Sequence, residues 1–165
     1  MDGSVGRMRP SRSEEELKGI AKEVQYEIDM MLHAARLYHG QPNRIGLHRT
    51  FYLELFLLHL RNVRDFLFFE PTKVKEEDVA AEDLIPSWPS MKSPPGLTIS
   101  IERERLNRAL AHLSYSRLTY NKREKGWNVR RMHREIEAWL AAFFHAIPSE
   151  RMEWFESKYG PTLPP

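Results

Sequence analysis

Residues 13–38 read SEEELKGIAKEVQYEIDMMLHAARLY, and this stretch decides the fold class. Leu17, Ile20/Ala21, Val24, Ile28, Met31, Ala35 and Tyr38 recur every three or four residues, the interval that lines one face of an α-helix. Ser13 followed by Glu16 has the spacing of a capping box, which fixes where the helix starts. Gly40, Gln41 and Pro42 end it. Nowhere does the chain alternate with the two-residue period of a half-buried strand, so the remaining segments are read as helices too.

Working outward, a second helix is expected over 47–69, closed by Pro71. It is apolar almost all round, which predicts the central, most buried helix of the domain. Residues 71–97 form a long proline-rich connection with a single turn over 77–83, and a connection of that length is unusual in a compact domain and often covers or borders a site. A third helix opens near Ile99 and Ser100, and a polar break over 121–126 precedes a fourth. Asn128 caps that fourth helix, and Val129, Met132, Ile136, Trp139/Leu140, Phe143 and Ile147 form its buried face. Ser149 is read as the cap of a last short helix. The expectation is all-α, an antiparallel bundle of four to five helices over 13–157, with a disordered leader at 1–12 and a flexible tail at 158–165.

With 165 residues the chain fits one domain, and 41% hydrophobic against 29% charged residues argues against wholesale disorder. The net charge of +2 conceals an uneven spread. The first helix and 70–83 are acid-rich and 103–134 is basic, which suggests a local anionic partner. Absence of cysteine removes disulfides and thiolate metal sites and fits a reducing cytosol. The leader lacks the apolar core of a secretory signal. Glu54, His59, Arg61, Asn62, Arg64 and Asp65 interrupt the greasiest window, 51–69, so no membrane partner is expected.

Chemistry concentrates on the third helix. Arg105, Arg108 and His112 share one stripe, while Leu106, Ala109/Leu110 and Leu113 form an apolar stripe opposite. A guanidinium beside an imidazole that titrates near neutrality suits work on a phosphodiester: His112 as acid or base, Arg105 or Arg108 stabilising the phosphate. The competing account places His112 at a helix–helix contact with solvated arginines. On the second helix, Glu54, Arg61 and Asp65 share a stripe, and His59 and Asn62 lie one turn apart. An Arg61–Asp65 ion pair is the plainer account; the sharper one makes these residues groups that orient His112 or complete its pocket floor.

Downstream, Tyr115, Tyr120 and Trp127 are interleaved with Arg117, Lys122, Arg123, Lys125, Arg130, Arg131 and Arg134. Cations hold backbone phosphate and aromatic faces stack unpaired bases, so the mixture suits single-stranded RNA. Arg130, Arg131 and Arg134 also lie near a helix N-terminus, where the helix dipole disfavours cations unless an anion offsets them. A solvated helix start with Trp127 on the core explains the same residues without RNA. No Glu-x-x-His, His-x-x-x-His, His-Glu-x-x-His, phosphate-binding glycine loop or Gly-x-Ser-x-Gly occurs, so neither a metal nor an organic cofactor is implied.

An all-α domain with Arg, a hydrophobic residue and a His a few residues later resembles the HEPN superfamily. The string RLNRALAH (105–112) carries the likeness. Arg105 has the six-residue spacing to His112; Arg108 is one residue too close; Asn107 stands at the five-residue offset where many members carry the arginine. The strings HLRNVRDFL (59–67) and AHLSYSR (111–117) also resemble those of small bacterial proteins grouped with this superfamily. The resemblance implies a metal-independent endoribonuclease of toxin or defence type, with two protomers joining their Arg/His stripes in one cleft, or a member that has lost catalysis and serves as a binding or dimerisation module. Its implied partners are RNA, a second copy of the chain, and an antitoxin or other partner protein. Phe143 and Phe144 add one argument for the dimer, because adjacent residues on a helix cannot easily face one core. A third reading is a small-molecule site between the second helix and the 71–97 connection acting as a lid.

Overall fold

The computed structural model describes residues 11–41, 46–68, 77–88, 106 and 126–156. Among these every regular element is helical: α1 (Glu14–Gly40), α2 (Leu47–Leu67), α3 (Ala81–Leu84), α4 (Val129–Ala146) and α5 (Ser149–Met152). The chain is therefore all-α across the described residues. None of these helices is long and apolar enough to cross a membrane.

The capping box forms as the spacing requires. The Ser13 hydroxyl accepts from the Glu16 N–H at 3.2 Å and the Glu16 carboxylate accepts from the Ser13 N–H at 2.7 Å. Those bonds to Ser13 hold the Glu16 carboxyl below its ordinary range. Asn128 caps α4 by accepting from the Arg131 N–H at 3.2 Å. Two boundaries differ from expectation. Helix α2 ends at Leu67, whose carbonyl accepts from the buried Trp88 indole at 2.8 Å; Pro71, four residues on, has no N–H to offer that carbonyl. Pro148 rather than Ser149 precedes α5, and Ser149 is already its first residue.

Contacts set the directions. Helices α1 and α2 form the largest interface, and Glu27 against His59 and Tyr38 against Arg49 show that they run antiparallel. Phe56 against His133 and Phe66 against Phe143 lie ten residues apart on both helices, so α2 and α4 run parallel. The core is built from the anticipated faces: Leu17, Ala21, Val24, Ile28, Met31 and Ala35 of α1, and Val129, Met132, Ile136, Leu140 and Phe143 of α4, are all buried. Leu106 is helical and buried in the same core.

Helix α2 is less enclosed than its composition suggests. Leu47 is 84% exposed, Phe51 57% and Leu58 45%, and their spacing places all three on one face. Its other face, with Phe56, Leu57, Leu60, Val63 and Phe66, is buried. The end of the bundle where α2 finishes is closed by aromatic rings in edge-to-face pairs: Phe66–Phe143 at 5.2 Å, Phe68–Trp139 at 4.8 Å and Trp88–Phe143 at 5.6 Å. Phe155 folds back over α4, with its ring 5.5 Å from Phe144 and 5.9 Å from Phe143. Phe143 and Phe144 are thus both covered by their own chain, which removes the argument for a dimer drawn from their adjacency. Arg151 ties α5 to α3 by donating to the Leu84 carbonyl at 2.7 Å.

Candidate functional site

Arg105, Asn107, Arg108, His112, Tyr115, Arg117 and Arg123 lie outside the described residues. Among the described residues the structure builds a polar cluster midway along the α1–α2 hairpin and a cationic cluster at one end of the molecule.

The polar cluster joins residues far apart in sequence. The Glu27 carboxylate oxygen Oε2 lies 2.7 Å from His59 Nδ1 and accepts from Asn62 Nδ2 at 2.9 Å. Burial pushes the Glu27 carboxyl up, but the bonds from His59 and Asn62 and the His59 charge outweigh it, leaving it below its ordinary range. An ionised carboxylate can only accept, so Nδ1 of His59 carries a proton. His59 is only 6% exposed, and the Tyr26 ring lies edge-on to it at 5.9 Å. His59 and Asn62, one turn apart on α2, thus share one carboxylate on the facing helix. The expected Arg61–Asp65 pair is replaced: the buried Arg64 guanidinium bonds to the adjacent Asp65 carboxylate, while Arg61 stays half-exposed. A guanidinium drawn into the core needs a carboxylate more than one at the surface does.

The cationic cluster lies where α1 ends and where α2 and α4 begin. Tyr38 and His39 come from the last turn of α1, Arg49 from the first turn of α2, and Arg130 and His133 from the first turns of α4. Arg49 holds the end of α1: its guanidinium carbon sits 3.9 Å over the Tyr38 ring and Nη1 donates to the Tyr38 carbonyl at 3.4 Å. The His39 and His133 rings lie 6.1 Å apart, tilted by 30°. Burial holds the His39 imidazole below its ordinary range, and the charges of His133, Arg130 and Arg49 lower it further. Burial also lowers His133; Glu137, 3.5 Å away on the same helix, pulls it up and Arg36 pushes it down, with a net fall. Three guanidinium groups and two imidazoles, from three helices, thus gather where two helix N-termini, with positive dipole ends, and the C-terminus of α1, with a negative one, come together.

Of the residues read as RNA contacts, Arg130 is exposed and belongs to this cluster. Arg131 is exposed and bonded to Glu135 at 3.0 Å, and Trp127 is half-buried against the core. Sequence reasoning singled out none of Glu27, Arg36, His39, Arg49 and His133. A signal existed for three of them: Arg36–His39 and Arg130–His133 repeat an Arg-x-x-His spacing at the two helix ends that meet.

The opposite end is acidic. A cleft of about 270 Å³ there is lined by the first turns of α1 and by residues 77–83, including Glu16, Glu77, Asp78 and Asp83 with Arg12. It lies against α1; most of the 71–97 connection expected to lid a small-molecule site on the second helix lies outside the described residues. The acidic side chains of the first turn of α1 and of 77–83 thus stand at one end and the Arg/His cluster at the other, along an α1 that, at 27 residues, spans roughly 40 Å. No protein-family model, curated protein or solved structure matches the chain.

Proposed function

We propose that this protein binds single-stranded RNA through its cationic end and cleaves it without a metal, as its resemblance to the HEPN superfamily implies. The observation that carries the binding half is the convergence of Arg36, Arg49 and Arg130 with His39 and His133 around two helix N-termini. Arg49 also tethers α1, and a polyanion at this end offsets the charges that His133, Arg130 and Arg49 place on His39. Trp127 precedes α4 at the same end and is half-exposed, which suits stacking on an unpaired base. The cleavage half rests on the spacing of Arg105, Arg108 and His112, with His112 moving the proton and an arginine stabilising the charged phosphorane.

The test is titration of fluorescent single-stranded RNA in EDTA, with cleavage followed on a gel. Arg49→Ala with Arg130→Ala is expected to weaken binding at least about tenfold and to reduce the salt dependence by about two phosphate contacts. His112→Ala is expected to abolish cleavage and leave binding intact. Unchanged affinity in the double arginine variant refutes the binding half, and undiminished cleavage by His112→Ala refutes the catalytic half.

A second reading, a catalytically silent interaction module, is favoured by the exposed Leu47, Phe51 and Leu58 stripe on α2. In that reading the stripe meets a second copy or a partner protein, and RNA is not cleaved.

A further inference from the structure

The cationic end carries two imidazoles among its arginines, and this gives the RNA-binding reading proposed above a second property. We infer that a phosphodiester seated among Arg36, Arg49 and Arg130 draws protons from solvent onto the His39–His133 pair, so that RNA binds this end more tightly as pH falls. The two rings belong to different helices yet lie 6.1 Å apart, so protonating one is felt by the other. From α4, His39 faces His133 and Arg130; from α2 it faces Arg49; Tyr38 flanks it on its own helix. Around His133 stand Arg36 and His39 from α1, Phe56 from α2, and Glu137 from its own helix.

In the empty site burial opposes a proton on either ring; at His39 the charges of His133, Arg130 and Arg49 oppose it too, and at His133 the Arg36 charge works against the pull of Glu137. The imidazoles therefore stay neutral near pH 7 and contribute little to attracting an anion. A bound phosphodiester cancels the repulsion, and the proton that then enters strengthens the grip on the anion. By linkage, each proton taken up on binding makes affinity rise by up to about tenfold per pH unit between the imidazole's free and bound pKa values. The ligand itself does not titrate in this window: phosphodiesters and uracil keep one charge state between about pH 5.5 and 8, where an imidazole changes. Oligouridylate therefore isolates the protein's contribution.

The experiment measures the affinity of full-length protein for fluorescent oligouridylate at constant ionic strength across that range. Wild type is compared with His39→Asn, His133→Asn and the double variant. Calorimetry in two buffers of different ionisation enthalpy counts the protons taken up by the wild type, a readout that needs no variant to fold. The expected result is a tightening of about tenfold or more from pH 7.5 to 6, with net proton uptake, flattened by His39→Asn alone and abolished in the double variant. Binding with no pH dependence and no proton uptake overturns the inference while leaving the RNA reading standing. Tightening that persists undiminished in the double variant overturns the assignment to these two residues. Failure to bind at any pH removes the RNA reading and this inference with it.

Discussion

Replacing Glu27 by alanine tests how the hairpin is held. The carboxylate accepts from His59 at 2.7 Å and from Asn62 at 2.9 Å, and the two donors differ in what happens when it is lost. Asn62 is exposed and turns to water, so its bond contributes a few tenths of a kcal/mol at about the level of any surface contact. His59 is buried, and its Nδ1–H loses a charged acceptor, a loss of roughly 1.5–3 kcal/mol. Desolvation of Glu27 itself offsets part of this, so Glu27→Ala is expected to destabilise by about 2 kcal/mol, equivalent to about 4–8 °C in Tm for a chain of this size. A double-mutant cycle with His59→Leu, read from urea unfolding followed by circular dichroism, is expected to return a coupling of about 1–2 kcal/mol. The pH sign follows from the lowered Glu27 carboxyl. Its contribution is complete above the ordinary value of 4.5 and is lost as pH falls through the lower folded value, so wild type and Glu27→Gln converge in acid. A coupling below about 0.5 kcal/mol, or a Glu27→Gln difference that grows in acid, refutes the account.

Two further outcomes follow from the packing. Trp88→Phe keeps an aromatic ring against Phe143 but leaves the Leu67 carbonyl without its donor, and chemical denaturation is expected to register a loss of about 2 kcal/mol. Leu47→Ser with Phe51→Ser alters two side chains that are mostly in water, so the fold is expected to change by less than about 0.5 kcal/mol. If the α2 stripe is an interface, light scattering will report dissociation of the wild-type assembly in that variant at unchanged Tm.

The faces of α1 and α4 were legible because each is written locally, in a three-to-four-residue repeat and a cap of fixed offset. Ser13 with Glu16 and Asn128 with Arg131 involve residues three apart, which one helical turn brings together whatever the rest of the chain does. The pairing of His59 with Glu27 was not legible, since those residues stand 32 positions apart and meet only once the hairpin register is set. Arg61–Asp65 illustrates the converse error: the spacing was ideal, but burial of Arg64 claimed the same carboxylate from the neighbouring position. The cationic end escaped for a related reason. Arg36, Arg49 and Arg130 belong to three helices, each unremarkable alone, and the basic composition of 103–134 drew attention to one of the three.

The four tryptophans are divided between the two ends of the bundle, and this gives the molecule two built-in optical reporters. Trp88 and Trp139 lie 6.3 Å apart among the phenylalanines that close one end, and the buried Trp154 stacks under Arg151 beside α5. Indoles so close exchange excitation, and their joint emission is blue-shifted for as long as that end stays dry. Trp127 stands apart, half-exposed at the start of α4. With Trp127 replaced by phenylalanine, the remaining fluorescence follows the melting of one end alone. The difference from wild type then isolates a single indole, whose quenching marks the arrival of a ligand at the other.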